Sequence, residues 1–283
     1  MPNQHERGEV ITPRLLRDWP LPDPQGDKQA RGTVLVVGGS RFNPGAVLLA
    51  GEAALRSGAG RLQLAVTGET AIPLSIAVPE AKVVGFPAGD GTLPEQVTEL
   101  AAGADVIAIG PGLDDIGQTE ALMRQILGAA GPGTGVVLDA YALGALSKDA
   151  SLLRQRRAVL TPNVTEAEHL LGREPGDDLA AASRALAERY QAVVSLFGHI
   201  AEPGGRLWRE ESGDAGLGTS GSGDVRAGIV AGLLGRGADP AQAACWAAFA
   251  HAVTGQRLAP RHGRTGFLAR ELVDEVAYTI ATV

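Results

Sequence analysis

Residues 215–235 read AGLGTSGSGDVRAGIVAGLLG, where Gly216, Gly218, Gly221 and Gly223 interleave with Thr219, Ser220 and Ser222 ahead of Asp224. Glycines at this density let the backbone turn tightly, approach a ligand closely and point several N–H groups one way. The apolar run after Asp224 reads as a helix. A hydroxyl of Ser220 or Ser222 is placed to cap it, and its first-turn amides and dipole favour an anion. An anion hole beside a carboxylate suits phosphoryl transfer: amides hold the phosphates while the acid takes a proton from an attacking hydroxyl. The plainer alternative is an ordinary Gly/Ser lead-in to a helix with an acid in its first turn.

Such a pair needs a scaffold, and the rest of the chain supplies one. Residues 33–37 (TVLVV) form a β-branched run of the kind buried in a parallel sheet. Gly38-Gly39-Ser40 breaks it, Pro44 suits the first turn of a helix reaching about residue 57, and residues 61–66 (RLQLAV) form the next strand. Further strands are expected at 105–109, 135–138, 158–160 and 192–196, with 205–208 returning as a hairpin. Helices are expected at 94–102, 116–129, 141–146, 164–171, 179–190, 225–234, 240–254 and 271–280; residues 68–91 show no clear period. Strands alternating with helices predict one α/β domain over residues 31–283, a central mostly parallel sheet with helices on both faces. The proline-rich residues 1–30 read as an extended N-terminal lead-in. Four motifs fall at carboxyl ends of strands, where open parallel sheets bind ligands: Gly38-Gly39-Ser40, Gly110-Pro111-Gly112, Asp139 and Thr161-Pro162-Asn163.

Composition narrows the function. With 45% hydrophobic residues and 20% charged residues over 283, the chain is globular rather than disordered. A net charge of −7 without a Lys/Arg run argues against nucleic-acid binding. Cys245 is the single cysteine, which excludes an internal disulfide; it sits in an apolar helical run and reads as core. The five histidines (His5, His169, His199, His251 and His262) show no ligand spacing, so no protein-borne metal site is expected, and His251 reads as a satisfied core histidine. A magnesium ion held mainly by phosphates and water would leave no such signature. The early loop GGSRFNPG lacks both the P-loop lysine and the Rossmann glycine spacing, and GTSGSG is out of register for a hydrolase elbow. No secretory signal and no run near the roughly 18 apolar residues of a membrane span are present, so a cytoplasmic protein away from membranes is expected.

Taken together, VLVVGGSRFNPGAVLLAGEAALRSGAG, AIGPGL, VLDAYAL, LTPNVTEAEHLLG and GSGDVRAG stand in the order seen in the ADP/ATP-dependent NAD(P)H-hydrate dehydratases, which the chain resembles over residues 32–255. The resemblance implies a ribokinase-like fold and repair of damaged nicotinamide cofactor. In that reaction ADP, or ATP, with Mg2+ phosphorylates the hydroxyl of hydrated NAD(P)H, and loss of phosphate restores the reduced cofactor. It further implies that Ala46, Gly112, Asn163 and Asp224 meet the hydrate, that Gly198, Gly221, Ser222 and Gly223 meet the nucleotide, that Asp224 is the base, and that the chain assembles as a homo-oligomer, a tetramer by family.

The departures from the family pattern fall on polar contacts. TPHPGE is TPNVTE here, so a substrate-contacting histidine becomes Asn163, which hydrogen-bonds without charge. VLKG is SLFG, placing Phe197 where a nucleotide-contacting lysine belongs; DADAL is DAYAL, placing Tyr141 at an acid. GDVL is GDVR, introducing Arg226, and the asparagine before the glycine loop is Asp214. A helix residue two past Asp224 either returns positive charge to the site or faces solvent. Two other readings follow from these changes: a ribokinase-like kinase acting on another small alcohol, and a nucleotide-binding paralogue with weakened turnover.

Overall fold

The computed structural model describes residues 8–23, 28–89 and 91–283. Ten strands make one sheet: β1 (Glu9–Val10), β2 (Thr33–Gly38), β3 (Arg61–Thr67), β4 (Ala81–Phe86), β5 (Val106–Ile109), β6 (Gly135–Leu138), β7 (Ala158–Leu160), β8 (Val193–Leu196), β9 (His199–Ala201) and β10 (Leu207–Arg209). Its order is β1-β10-β9-β8-β7-β6-β5-β2-β3-β4, parallel from β8 through β4 and antiparallel across β8-β9-β10. The central strands are buried on both faces, which is why they read as unbroken apolar runs rather than alternating ones.

Eleven helices are described: α1 (Pro13–Asp18), α2 (Gly45–Arg56), α3 (Gly68–Ala77), α4 (Glu95–Ala102), α5 (Ile116–Ala129), α6 (Tyr141–Lys148), α7 (Val164–Leu171), α8 (Leu179–Tyr190), α9 (Ser222–Gly235), α10 (Pro240–His262) and α11 (Ala269–Ala281). They cover both faces and bury two separate cores. One packs side chains of α2, α9, α10 and α11 under Val34, Val36 and Leu64, and the other packs α4 to α8 under Leu35, Val37 and Ile107. This is the mostly parallel α/β architecture expected from the sequence.

Three segments differ from the sequence reading. Residues 68–91, which showed no period, hold helix α3 and strand β4. The helix carries Pro73 in its interior and leaves Ile72 and Ile76 exposed, so the apolar residues do not mark one inward face. The lead-in is not simply extended: β1 pairs parallel with β10, and α1 starts from a Thr12 cap with Pro13 in its first turn. The lead-in is also tied down. Trp19 stacks on buried Trp208 at 5.7 Å, and its carbonyl accepts from Trp246 Nε1 at 3.0 Å and Gln242 Nε2 at 3.1 Å. His5 and residues 24–27 lie outside the described residues. Helix α10 runs on to His262 through Pro260, well past the expected end at 254.

Helix α9 is positioned by glycine. A Cβ at Gly228 would overlap the carbonyl of Ala50, and one at Gly232 the carbonyl of Ala54, so α9 lies backbone-to-backbone on α2 with no room for a side chain between them. Replacing Gly228 by alanine must force the helices apart. The variant is expected to lose about 1–3 kcal/mol of stability, the usual cost of overpacking a core, measured by urea unfolding.

Candidate functional site

The strand ends are joined into one rim by short-range contacts. Gly39 N–H donates to the Pro111 carbonyl at 2.8 Å and Ser40 N–H to that of Gly112 at 2.7 Å, binding the loops after β2 and β5 together. Gly110, at φ +128°, passes so close to the Asp139 carbonyl that a Cβ could not be accommodated, which joins β5 to β6. Thr161 Oγ1 donates to Asp139 Oδ1 at 2.7 Å, which joins β6 to β7. The Thr161 carbonyl accepts from Arg226 Nη2 at 2.6 Å, which ties β7 to helix α9. These contacts join the four strand-end motifs into one rim, tied to helix α9 at Thr161.

The start of α9 differs from expectation in a way that matters for binding. Neither Ser220 nor Ser222 caps the helix: its N-cap is Gly221, left-handed at φ +87°, and no side chain satisfies the first-turn amides. A Cβ at Gly221 would come within 2.6 Å of the Leu49 side chain, so glycine is required there on two grounds. Ser222 instead turns its hydroxyl to His251 on α10, whose Nε2 lies 2.8 Å from Ser222 Oγ and 3.0 Å from its carbonyl. Burial, with Arg226 nearby, pushes the His251 pKa down to about 3, so the imidazole is neutral at working pH. The helix thus presents open amides and a dipole to whatever lies before it.

Asp224 stands in the first turn, partly buried. Burial raises its carboxyl first, and the negative charges of Asp139 and Glu166 raise it further, to about 7. Asp139, buried at the end of β6, is itself raised by burial against the opposing effects of Thr161 and Arg226. Glu166 is raised by burial as well, although it accepts from Asn163 N–H at 2.8 Å. Asp139 and Glu166 both feel the field of Arg226 and both raise Asp224, and a carboxyl that releases its proton near neutrality is suited to general-base work.

A cavity of about 610 Å³ opens on the far side of the α9 N-terminus, walled by Gly198, Ser222, Gly223, Arg226 and His251, with Phe197 at the β8–β9 turn. Three of the four expected nucleotide contacts, Gly198, Ser222 and Gly223, line it, and Gly221 sits behind them as the helix cap. Phe197 and Gly198 form a two-residue hairpin turn with φ +45° and +83°, and Phe197 is 72% exposed at its tip. A bulky side chain at positive φ carries strain, since this turn favours Asn-Gly. The acids of the wall are already engaged. Glu210 accepts from the N–H groups of Ser212 at 2.7 Å and Gly213 at 3.1 Å, and Asp214 is gripped by Arg264 at 2.6 Å.

The expected substrate residues lie apart from that cavity. Ala46 is buried at the start of α2, 3.1 Å from where a Cβ of Gly112 would be; Gly112, at φ +72°, has no space for one because of the Asn43 carbonyl. Asn163 serves first as the N-cap of α7: its side-chain oxygen accepts from Glu166 N–H at 2.9 Å, closing a capping box with Glu166. Through Glu166 it reaches the carboxyl cluster indirectly. Tyr141 is 41% exposed beside Ala140, which is held at φ +50° in the turn after Asp139. Glu166 and His251 went unrecognised as site residues in the sequence. Glu166 was signalled only by its place three residues after a cap, and His251 by nothing, since it lies far along the chain on an apolar helix. Among the described residues no three His, Cys, Asp or Glu side chains form a metal cage.

Comparison with known proteins identifies the family. The family model described as NAD(P)H-hydrate dehydratase matches residues 34–277. The ADP-dependent (S)-NAD(P)H-hydrate dehydratase of Xanthomonas campestris is 44% identical, with 95% of each chain covered. The enzyme of that name from Bacillus subtilis is 34% identical, over 90% of this chain and 91% of its own. The chain spans about half the bifunctional NAD(P)H-hydrate repair enzyme of Escherichia coli, 52% of its length at 33% identity. Among solved structures, the Bacillus subtilis ADP/ATP-dependent NAD(P)H-hydrate dehydratase co-crystallised with ATP/Mg2+ superposes with a TM-score of 0.83 at 28% identity, covering 97% of this chain and 98% of that one. With the ribokinase-like sheet, the carboxyl cluster at its strand ends and a family match running through both, this chain belongs to the NAD(P)H-hydrate dehydratase family.

Proposed function

We infer that the chain is an ADP-dependent (S)-NAD(P)H-hydrate dehydratase, returning hydrated NADH or NADPH to the reduced cofactor. The observation that carries this reading is Asp224. A carboxyl poised near pH 7 shares the first turn of α9 with amides that no side chain caps, and the helix opens onto a cavity of about 610 Å³. In this reading Gly198, Gly221, Ser222 and Gly223 border the nucleotide, while Ala46, Gly112 and Asn163 border the hydrated ring. The α9 amides hold the phosphate chain and stabilise charge as it develops on the transferred group. Asp224 takes the proton of the ring hydroxyl as that oxygen bonds to the terminal phosphorus of ADP and AMP leaves. The phosphorylated ring then expels phosphate and loses a proton from the neighbouring carbon, restoring the double bond.

Mg2+ bound on the phosphates would neutralise their charge, and Asp139, Glu166 and Asp224 are the carboxylates placed to hold its water shell. A homo-oligomer is the setting that the family resemblance implies, and the sequence itself supports a cytoplasmic protein with residues 31–283 as one domain. The kinase and weakened-paralogue readings draw on Asn163 and Phe197, and turnover decides among the three. Purified protein incubated with hydrated NADH, Mg2+ and ADP is expected to regain the reduced-nicotinamide absorbance. No recovery with ADP or ATP, while either nucleotide still raises the melting temperature, would leave the paralogue reading standing.

Asp224→Asn removes the base and is expected to lower kcat by about 100-fold or more while ADP binding persists. Unchanged turnover would remove Asp224 from the mechanism. The same carboxyl sets the pH behaviour. Because Asp224 must be ionised to act, kcat/KM should rise with pH to a plateau above about 7, an acid limb that Asp224→Asn abolishes. Stability runs in the opposite direction. The folded-state pKa of Asp224 lies above its unfolded value of 3.8, so the protonated form stabilises the fold at low pH, and this contribution is lost as pH rises through about 7. Asp224→Asn should therefore melt higher than the parent at pH 8, with the difference vanishing near pH 4.

A further inference from the structure

Arg226 is a half-buried cation without an ion-pair partner among the described residues. Its Nη2 donates to the Thr161 carbonyl at 2.6 Å and reaches that of Pro162 at 3.5 Å, while its Nε is buried with no partner. Among the described residues no carboxylate lies within ion-pairing distance of it. Asp139 and Glu166 act on it only through their longer-range fields, and burial pulls its pKa down. A guanidinium taken out of water and balanced only by carbonyl dipoles is costly, and an arriving anion offsets that cost. The side chain forms part of the wall of the 610 Å³ cavity and is the only Lys or Arg among the residues described there. The acidic neighbours in that wall do not neutralise it: Glu210 is held by backbone N–H groups, Asp214 by Arg264 and Glu211 by Arg209. His251, neutral, contributes no charge.

Phe197, at the tip of the β8–β9 turn, also lines this cavity, so among the described lining residues the one Lys or Arg is on helix α9. A planar fork matches phosphate oxygens two at a time, and Arg226 shares the cavity lining with Ser222 and Gly223 of the first turn of α9.

We propose that Arg226 is the phosphate-binding cation of this cavity, closing its guanidinium on the diphosphate chain of the nucleotide next to the α9 amides. This rests on the nucleotide reading of the cavity given above. In this arrangement the charge comes from the second turn position after the glycine loop, and the hairpin turn is free to carry an aromatic residue.

The test is calorimetric titration of adenosine, ADP and inorganic pyrophosphate, with Mg2+, into the parent protein, Arg226→Leu, Arg226→Gln and the double variant Arg226→Leu/Phe197→Lys. Removing the cation is expected to weaken ADP and pyrophosphate by about 30-fold, the scale of one charge-assisted contact, and to change adenosine by no more than about twofold. Lysine at position 197 should recover part of the loss. ADP binding to Arg226→Leu or Arg226→Gln at parental affinity would overturn the proposal while leaving the nucleotide reading intact. Equal weakening of adenosine and ADP would also overturn it, since a merely structural arginine predicts that pattern. If Arg226→Leu fails to fold, as its melting curve would show, the glutamine variant decides by the same comparison. A parent protein that binds neither ADP nor ATP removes the nucleotide reading, and the proposal with it.

Discussion

The contact between α9 and α2 determines where everything else in the site can be. Gly228 and Gly232 let α9 rest on the backbone of Ala50 and Ala54, and α2 is itself packed on β2 and β3. That close seating places the α9 N-terminus over the carboxyl ends of the central strands. A helix held a side chain's width further out would carry Ser222, Gly223 and Asp224 away from Asp139 and Thr161. The distance between the start of α9 and a strand-end carboxyl is thus set by two glycines packed on α2.

Once that seating is made, electrostatics follow from crowding. Three carboxyls approach one another at the rim, and burial adds to their mutual repulsion, so Asp224 keeps its proton to near neutrality. Arg226 moderates the cluster, lowering Asp139 and Glu166, but it pairs with none of them. The site is charged and under-neutralised on both sides of the helix, with excess negative charge toward the strand ends and an unmatched cation toward the cavity. Strain is stored at the same rim, at Ala140 after Asp139 and at Phe197 in the hairpin turn.

Much of this was legible along the chain. The β-branched runs, the strand-end glycines and the small-residue loop before Asp224 are local signals, because buried parallel strands and tight turns restrict residue type position by position. The glycine stretch and Asp224 stood out for the same reason. Segments governed by distant partners were not legible. Helix α3 is set by its packing between β3 and β4 rather than by any period of its own. The lead-in gains a strand and a helix only because β10 and Trp208 receive it. The expected serine cap failed since Ser222 found a better partner in His251, 29 residues on.

The sequence by itself determined the α/β class and the family and singled out Asp224 with its glycine loop as the candidate site, all of which depend on residue types over short spans. Only the tertiary structure decided which way Arg226 points, that Glu166 and Asp139 share a charge environment with Asp224, and that His251 belongs to a cavity wall. Each of these is a matter of burial and distance between elements far apart in the chain. A carboxyl's proton affinity and a guanidinium's missing partner exist only once the fold has excluded water around them.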